Sequence, residues 1–165
     1  MAIGPVQMLV LGFDEPNFTG KIAAELARLR DLDVIRLIDM IVVEKDDDGN
    51  VTALQTSDLS QDEAIEFGAV VGALIGFGMD GEEGMEAAAV AGAEALEDGH
   101  ALDEEEVWHV ADVIPNGSVA AVALIEHRWA IPLRNAIMDA GGVSLADEWI
   151  HARDLIAVGL AAAAD

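Results

Sequence analysis

The sequence predicts an α+β fold, a ferredoxin-like sandwich of two strand–helix–strand halves with a helical hairpin inserted between them. Short apolar runs rich in β-branched residues alternate with segments whose apolar residues recur at helical spacing, and a Gly/Ala-rich stretch separates the halves. A chain of 165 residues fits one domain. Within it, we expect residues 60–99 to form the inserted hairpin and residues 151–165 to form a C-terminal apolar helical tail.

Apolar runs bounded by turn residues predict five strands, at residues 5–13, 34–43, 51–56, 119–125 and 143–150. Helical spacing predicts a first helix capped by Asn17 or Thr19, a helix capped by Asp103, and a helix over residues 129–140. Gly49 supplies the positive φ of a hairpin turn between the second and third strands. We expect the helices to cover one face of the sheet, so that the insert or a second subunit covers the other.

The insert contains three glycines spaced four apart, Gly68, Gly72 and Gly76, which a helix places on one face. Ser60 and Glu63 form a capping box at the start of this helix, and Asp80-Gly81 breaks it. A second helix follows over residues 82–96, again with small residues on neighbouring rows. Faces without side chains let two backbones approach closely, so this glycine zipper packs against either the second helix of its own chain or the hairpin of another.

Membrane insertion of this hairpin is disfavoured by its length and flanks. The uncharged run Phe67–Met79 has 13 residues between Glu66 and Asp80, whereas a spanning helix needs about 20. Because Gly costs about 1 kcal/mol relative to Ala in a helix interior, tertiary or quaternary packing must offset it. We therefore predict an oligomer interface made of Gly68, Gly72, Gly76, Val71, Ile75, Phe77, Gly84, Ala88 and Gly92.

The charge is strongly acidic and unevenly distributed. There are 32 acidic and 8 basic residues, a net charge of −24, and no Lys or Arg lies between Lys45 and Arg128. This argues against nucleic acid and anionic membrane surfaces as partners. A solvated acidic surface is one interpretation, and a surface for a cationic protein or divalent ions is the other. The N-terminal residues 1–5 lack the basic region of a secretory signal, so we expect a cytoplasmic location.

Motifs for catalysis or cofactor binding are missing from the sequence. Without Cys there are no disulfides or thiolate sites, and the four His lack metal-ligand spacing. The glycine stretch lacks the residues of a phosphate loop or a dinucleotide site. Asp46–Asn50 fits a hairpin turn better than a calcium loop. We expect no catalytic residue, cofactor or metal; if a small ligand binds, the candidates are Arg36, Asp39 and Arg128. Arg36 and Asp39 are assigned to opposite faces of their strand.

Three motifs carry a resemblance to known families. They are Gly4-Pro5-Val6, Ile35-Arg36-Leu37-Ile38-Asp39 with the following Val43–Gly49 turn segment, and Glu126-His127-Arg128-Trp129-Ala130 with the later Ala140-Gly141-Gly142. Together they resemble a bacterial family of unknown function numbered six-three-two-five. That family is similar to family twelve-sixty-nine, whose members carry a Gly/Ala-rich helical segment in the middle. Residues 60–100 of this chain match the second family better than the first. The resemblance supports the α+β fold and brings no assigned activity.

Two hypotheses about function follow. The first is a non-enzymatic, soluble, acidic protein that forms a homo-oligomer through its glycine-zipper hairpin. The second is a small-ligand-binding or regulatory domain that uses an open sheet face, which rests on fold analogy alone.

Overall fold

The computed structural model describes residues 2–14, 16–143 and 145. The predicted strand at 143–150 lies, apart from its residues 143 and 145, outside the described residues, and the predicted tail at 151–165 lies wholly outside them. The protein is α+β, with the element order β1 Val6–Phe13, α1 Lys21–Asp31, β2 Ile35–Lys45, β3 Val51–Thr56, α2 Gln61–Ala95, α3 Glu104–Val113, β4 Ser118–His127 and α4 Ala130–Asp139.

The four described strands form one antiparallel sheet in the order β1-β4-β2-β3. β4, the last of them in sequence, lies between β1 and β2, which are therefore parallel to each other and separated by one strand. A ferredoxin-like sandwich has its first strand at the centre of the sheet, whereas β1 lies at the edge. The α+β class is thus confirmed, and the ferredoxin-like arrangement is not.

A β-bulge at Ile38 changes which side chains of β2 share a face. Leu37 pairs with Ile125 and Asp39 pairs with Leu124, so that one extra residue of β2 is left between the two pairs. Such an insertion reverses the alternation of side chains beyond it. Arg36 and Asp39 consequently lie on the same face, and the prediction of opposite faces is wrong because it assumed an uninterrupted alternation.

Each face of the sheet is packed by one helix. Leu26 and Leu29 of α1 pack against one core cluster, whose buried members are Ile35, Leu37, Ala123 and Ile125. On the other face, Val110 and Ala111 of α3 belong to a second cluster with Ile41, Val43, Leu102, Ala120 and Val122. The helices therefore cover both faces of the central strands, which explains the apolar residues on both faces of β2.

Local sequence signals fix most of the element ends. Ser60 and Glu63 form the predicted capping box, and Asp103 accepts a hydrogen bond from the backbone N–H of Glu105 at the start of α3. Gly49 has the expected positive φ of 86°. The start of α1 differs from the prediction, because Gly20 in the left-handed region precedes the helix and no side chain caps it.

The chain divides into two compact units, residues 1–132 and 133–165. α4 begins at Ala130 in the first and continues into the second, where Gly141 ends it with a φ of 79° and Gly142 N–H donates to the Ile137 carbonyl. The sheet, α1, α2 and α3 all belong to the first unit.

Candidate functional site: a glycine-packed helical hairpin with an exposed apolar arm

α2 is a hairpin of two helical arms. Asp80 (φ −131°, ψ 16°) and Gly81 (φ 66°, ψ −142°) leave the helical region and reverse the chain. We call residues 61–79 the first arm and residues 82–95 the second arm. Glycine suits position 81 because its φ lies in the region that side-chain-bearing residues rarely adopt.

The two arms meet backbone to backbone along the glycines. A Cβ added at Gly68 would overlap the carbonyl oxygen of Gly92, and one added at Gly72 would overlap that of Ala88. A Cβ at Gly76 would likewise overlap the carbonyl of Gly84, and the reciprocal contact from Gly84 to the Gly76 oxygen is 2.5 Å. In these contacts the partner of each first-arm glycine is the second arm of the same chain.

This packing divides the predicted interface residues into two groups. Gly68, Gly72, Gly76, Gly84, Ala88 and Gly92 contact one another within the chain, so their backbone faces are occupied. Val71 is half-buried, whereas Ile75 and Phe77 are exposed. Whether these residues form an interface between subunits stays a prediction, but only the second group includes exposed large side chains, Ile75 and Phe77.

Four large apolar side chains of the first arm face outward, and together we call them the apolar arm surface. They are Leu74 (67% exposed), Ile75 (58%), Phe77 (57%) and Met79 (77%). Leu74 and Phe77 are three residues apart, and Ile75 and Met79 four apart, so each pair forms a ridge along the helix. No charged residue occurs between positions 67 and 79, whereas the second arm carries Glu82, Glu83, Glu86 and Glu94.

The base of the hairpin is anchored, in contrast to its tip. Ala64 and Phe67 are buried, and the Gln61 side-chain amide donates to the Glu97 carbonyl at 2.7 Å, which joins the two ends of the hairpin. In the capping box, Ser60 N–H donates to Glu63 Oε2 at 2.9 Å, and Glu63 N–H donates to Ser60 Oγ at 3.3 Å. The backbone hydrogen bond from Ser60 lowers the pKa of the Glu63 carboxyl.

Asp39 binds the segment that follows the hairpin and holds it against the sheet. Its Oδ2 accepts from Ala101 N–H at 2.8 Å, from Leu102 N–H at 2.9 Å and from the Gln55 amide at 2.9 Å. Its Oδ1 accepts from Met40 N–H at 2.9 Å and lies 3.2 Å from His100 Nδ1. The carboxylate is fully buried, so these donors occupy it and a ligand has no access.

Arg36 and Arg128, the other two candidates for ligand binding, line a polar cleft of about 300 Å³ together with Arg30, Asp33, Ile35, Asp58 and Glu63. The guanidinium groups there already have carboxylate partners. Arg36 Nε donates to Glu126 Oε2 at 2.8 Å, Arg128 Nε donates to Asp33 at 2.5 Å, and Arg30 pairs with Asp58.

The buried Glu126 brings together the segments that carry the family resemblance. Its Oε1 accepts from Gly4 N–H at 2.7 Å while its Oε2 holds Arg36. A Cβ at Gly4 would overlap the carbonyl of His127, which explains the glycine there. These motif residues thus form a structural network of hydrogen bonds and ion pairs at one end of β2 and β4.

The partnerships of Glu126 with Arg36 and of Asp58 with Arg30 were not predicted from the sequence. The available signal was weak: Glu126 ends the apolar run of β4, and a carboxylate at such a position needs a partner. Arg36 could be predicted as that partner only if the pairing of β2 with β4 were known. That pairing places Arg36 opposite Glu126, which is 90 positions away in the sequence.

Among the described residues, no three His, Asp or Glu side chains are placed to hold a metal ion. Asp46 accepts from the backbone N–H groups of Asp48 and Asn50 and from the Asn50 amide, so it closes the β2–β3 turn. The Asn50 side chain is the main cause that lowers the pKa of Asp46.

In the described part of the chain, one helix is long and apolar enough to cross a membrane, and it is α2, with 28% of its most apolar window buried. The break at Asp80-Gly81 divides this length between the two arms. Length and composition alone are weak evidence, since core helices of soluble proteins have the same properties.

Comparisons with protein families, with curated proteins and with solved structures return no match. The resemblance to families six-three-two-five and twelve-sixty-nine therefore stays a prediction.

Proposed function

We propose that this is a non-enzymatic, soluble, cytoplasmic protein that self-associates through the apolar arm surface of its hairpin. The observation that carries the proposal is the exposure of Leu74, Ile75, Phe77 and Met79 on an arm that close backbone packing holds in place. Contiguous exposed apolar surface of this kind is typical of interaction sites.

The partner we propose is a second copy of the chain. The first arm carries no charge between residues 67 and 79, so it offers nothing to a cationic protein. Two copies with a net charge of −24 each repel one another, and contact is least opposed where the surface is uncharged. Matching ridges of two arms then pack as in other helix pairs.

The expected affinity is modest. Complete burial of a large apolar side chain contributes about 1.5–3 kcal/mol, so covering what remains exposed of these four contributes about 4–8 kcal/mol per subunit. Association itself costs an estimated 4–15 kcal/mol. The contact is therefore weak and concentration-dependent unless a further surface contributes. Salt strengthens it by screening the repulsion between copies, whereas salt would weaken binding to a cationic partner.

Sedimentation velocity over a range of protein and salt concentrations tests the proposal. The double variant Leu74→Gln/Phe77→Gln is compared with Leu54→Gln/Val113→Gln, which removes two exposed apolar side chains elsewhere on the same unit. We expect the first to weaken association at least about tenfold relative to the second. Equal association of the two variants, or a 17.3 kDa monomer under all conditions, would contradict the proposal. Flotation of the wild type with uncharged lipid vesicles would instead indicate a membrane partner.

The small-ligand hypothesis has less support. Its candidate residues Arg36 and Arg128 are bound to carboxylates of the chain itself, and Asp39 is buried and fully hydrogen-bonded. An anionic ligand in the cleft would have to displace Glu126 or Asp33 from these guanidinium groups.

A further inference from the structure

β1 has one long edge that the other described strands leave unpaired. Its hydrogen bonds to β4 start at Pro5, whose carbonyl accepts from His127 N–H at 2.8 Å. Because hydrogen-bonded positions alternate in an antiparallel pair, the odd-numbered residues of β1 bond to β4. The N–H and C=O groups of Val6, Met8, Val10 and Gly12 therefore point away from the sheet.

This edge lacks the features that usually prevent strands from pairing between molecules. Such features are charged side chains, Pro, bulges and short length. β1 pairs with β4 over eight consecutive residues without a bulge, and the sequence VQMLVLGF contains no charge and no Pro. Each strand residue adds about 3.4 Å, so the free edge is about 27 Å long.

Apolar side chains stand next to this edge. Val6, Met8 and Val10 pair with Glu126, Leu124 and Val122 of β4, which places all three on the face of the sheet that α3 packs. α3 covers the central strands and leaves these residues exposed, Met8 at 63% and Val10 at 64%. An added strand would thus bury apolar side chains as well as satisfy backbone groups.

We propose that β1 pairs antiparallel with β1 of a second copy, which joins two sheets into one of eight strands. The charge distribution supports this occupant. A cationic partner would need acidic residues at the site, and β1 has none, while a second copy brings an equally uncharged strand. Antiparallel pairing of identical strands is also self-complementary, as a two-fold interface requires.

This surface is separate from the apolar arm surface, so it engages a different copy of the chain. Two different two-fold contacts on one subunit link copies in alternation, arm to arm and strand to strand. The assembly grows beyond a dimer unless the geometry closes a ring.

The test compares Val10→Lys with Leu54→Lys. Leu54 is equally exposed (66%) but lies on β3, the opposite edge strand, and both variants change the net charge by the same amount. Both are made in the wild type and in the Leu74→Gln/Phe77→Gln background, so that strand pairing is measured without the arm contact. In that background, we expect a residual dimer that Val10→Lys weakens at least about tenfold and Leu54→Lys leaves unchanged.

Hydrogen exchange of the Met8 and Val10 amides gives a second measurement that does not depend on a variant. We expect their protection to rise with protein concentration. Protection independent of concentration would mean that residues of the same chain cover the edge, and it would overturn the proposal. So would a hairpin double variant that is monomeric at all concentrations, or equal dimerisation of the two Lys variants. If only the arm contact is absent, Val10→Lys still weakens dimerisation more than Leu54→Lys does.

Discussion

Substituting Gly72 by Ala places two known effects in opposition. Ala is favoured over Gly in a helix interior by about 1 kcal/mol, so propensity alone predicts stabilisation. The new Cβ, however, would overlap the carbonyl oxygen of Ala88 and lie 3.2 Å from the Cα of Gly92. Real Cβ atoms essentially never approach a heavy atom within 3.0 Å, and both contacts are backbone, so the arms must separate. Overpacking of this kind costs about 1–3 kcal/mol and also removes contacts along the arms.

Gly78→Ala is the matched control, since Gly78 lies in the same arm and nothing is within 4 Å of its added Cβ. We expect this variant to be stabilised by about 1 kcal/mol, and Gly72→Ala to be destabilised by up to about 2 kcal/mol after the gain in propensity. The measurement is urea unfolding followed by far-UV circular dichroism, at one fixed protein concentration because association adds apparent stability. If both variants are stabilised equally, the arms do not touch at Ala88 in solution.

Three further predictions concern the supports of the hairpin and the sheet. Asp39→Asn leaves at least one buried N–H without an acceptor, so its free energy of unfolding should fall by about 1–3 kcal/mol, while Asp112→Asn on the surface of α3 should change it by less than about 0.5 kcal/mol. Ser60→Ala should cost about 1 kcal/mol by loss of the cap, with faster hydrogen exchange confined to the first turn of α2. Burial lowers the pKa of His127 below its ordinary 6.5, so the fold favours the neutral ring. The resulting stability is complete above pH 6.5 and is lost as the pH falls toward the lowered pKa; His127→Gln should flatten that part of the urea-midpoint profile, and an unchanged slope would contradict this assignment.

The hairpin was the most predictable part of the molecule. The spacing of Gly68, Gly72 and Gly76, the capping box at Ser60 and the break at Asp80-Gly81 are local signals, and each depends on residues within one or two helical turns. The choice between packing within the chain and packing between chains is not local. It depends on the register in which the second arm returns.

The sheet order and the charged network were not predictable from the same patterns. The position of β4 next to β1 depends on pairs of residues that are more than a hundred positions apart in the sequence. Hydrophobic alternation does not specify such pairs. The bulge at Ile38 cannot be recognised within an apolar run of the sequence. Arg36 and Asp39 were therefore predicted on opposite faces, although they share one. Trp108 also follows the apolar pattern of α3 but is exposed, because Val107, Val110, Ala111 and Ile114 already fill the narrow contact with the sheet.

The position of β4 in the sheet affects how the protein folds during synthesis. β1 and β2 have no partner between them until residues 118–127 emerge from the ribosome, although α2 can form as soon as its own 35 residues are available. A nascent chain therefore carries an unpaired β1, and a β2 that is paired on its β3 side only, until β4 is made. Unpaired strand edges are where intermolecular mispairing begins, so the synthesis of β4 closes two edges on which nascent chains could aggregate.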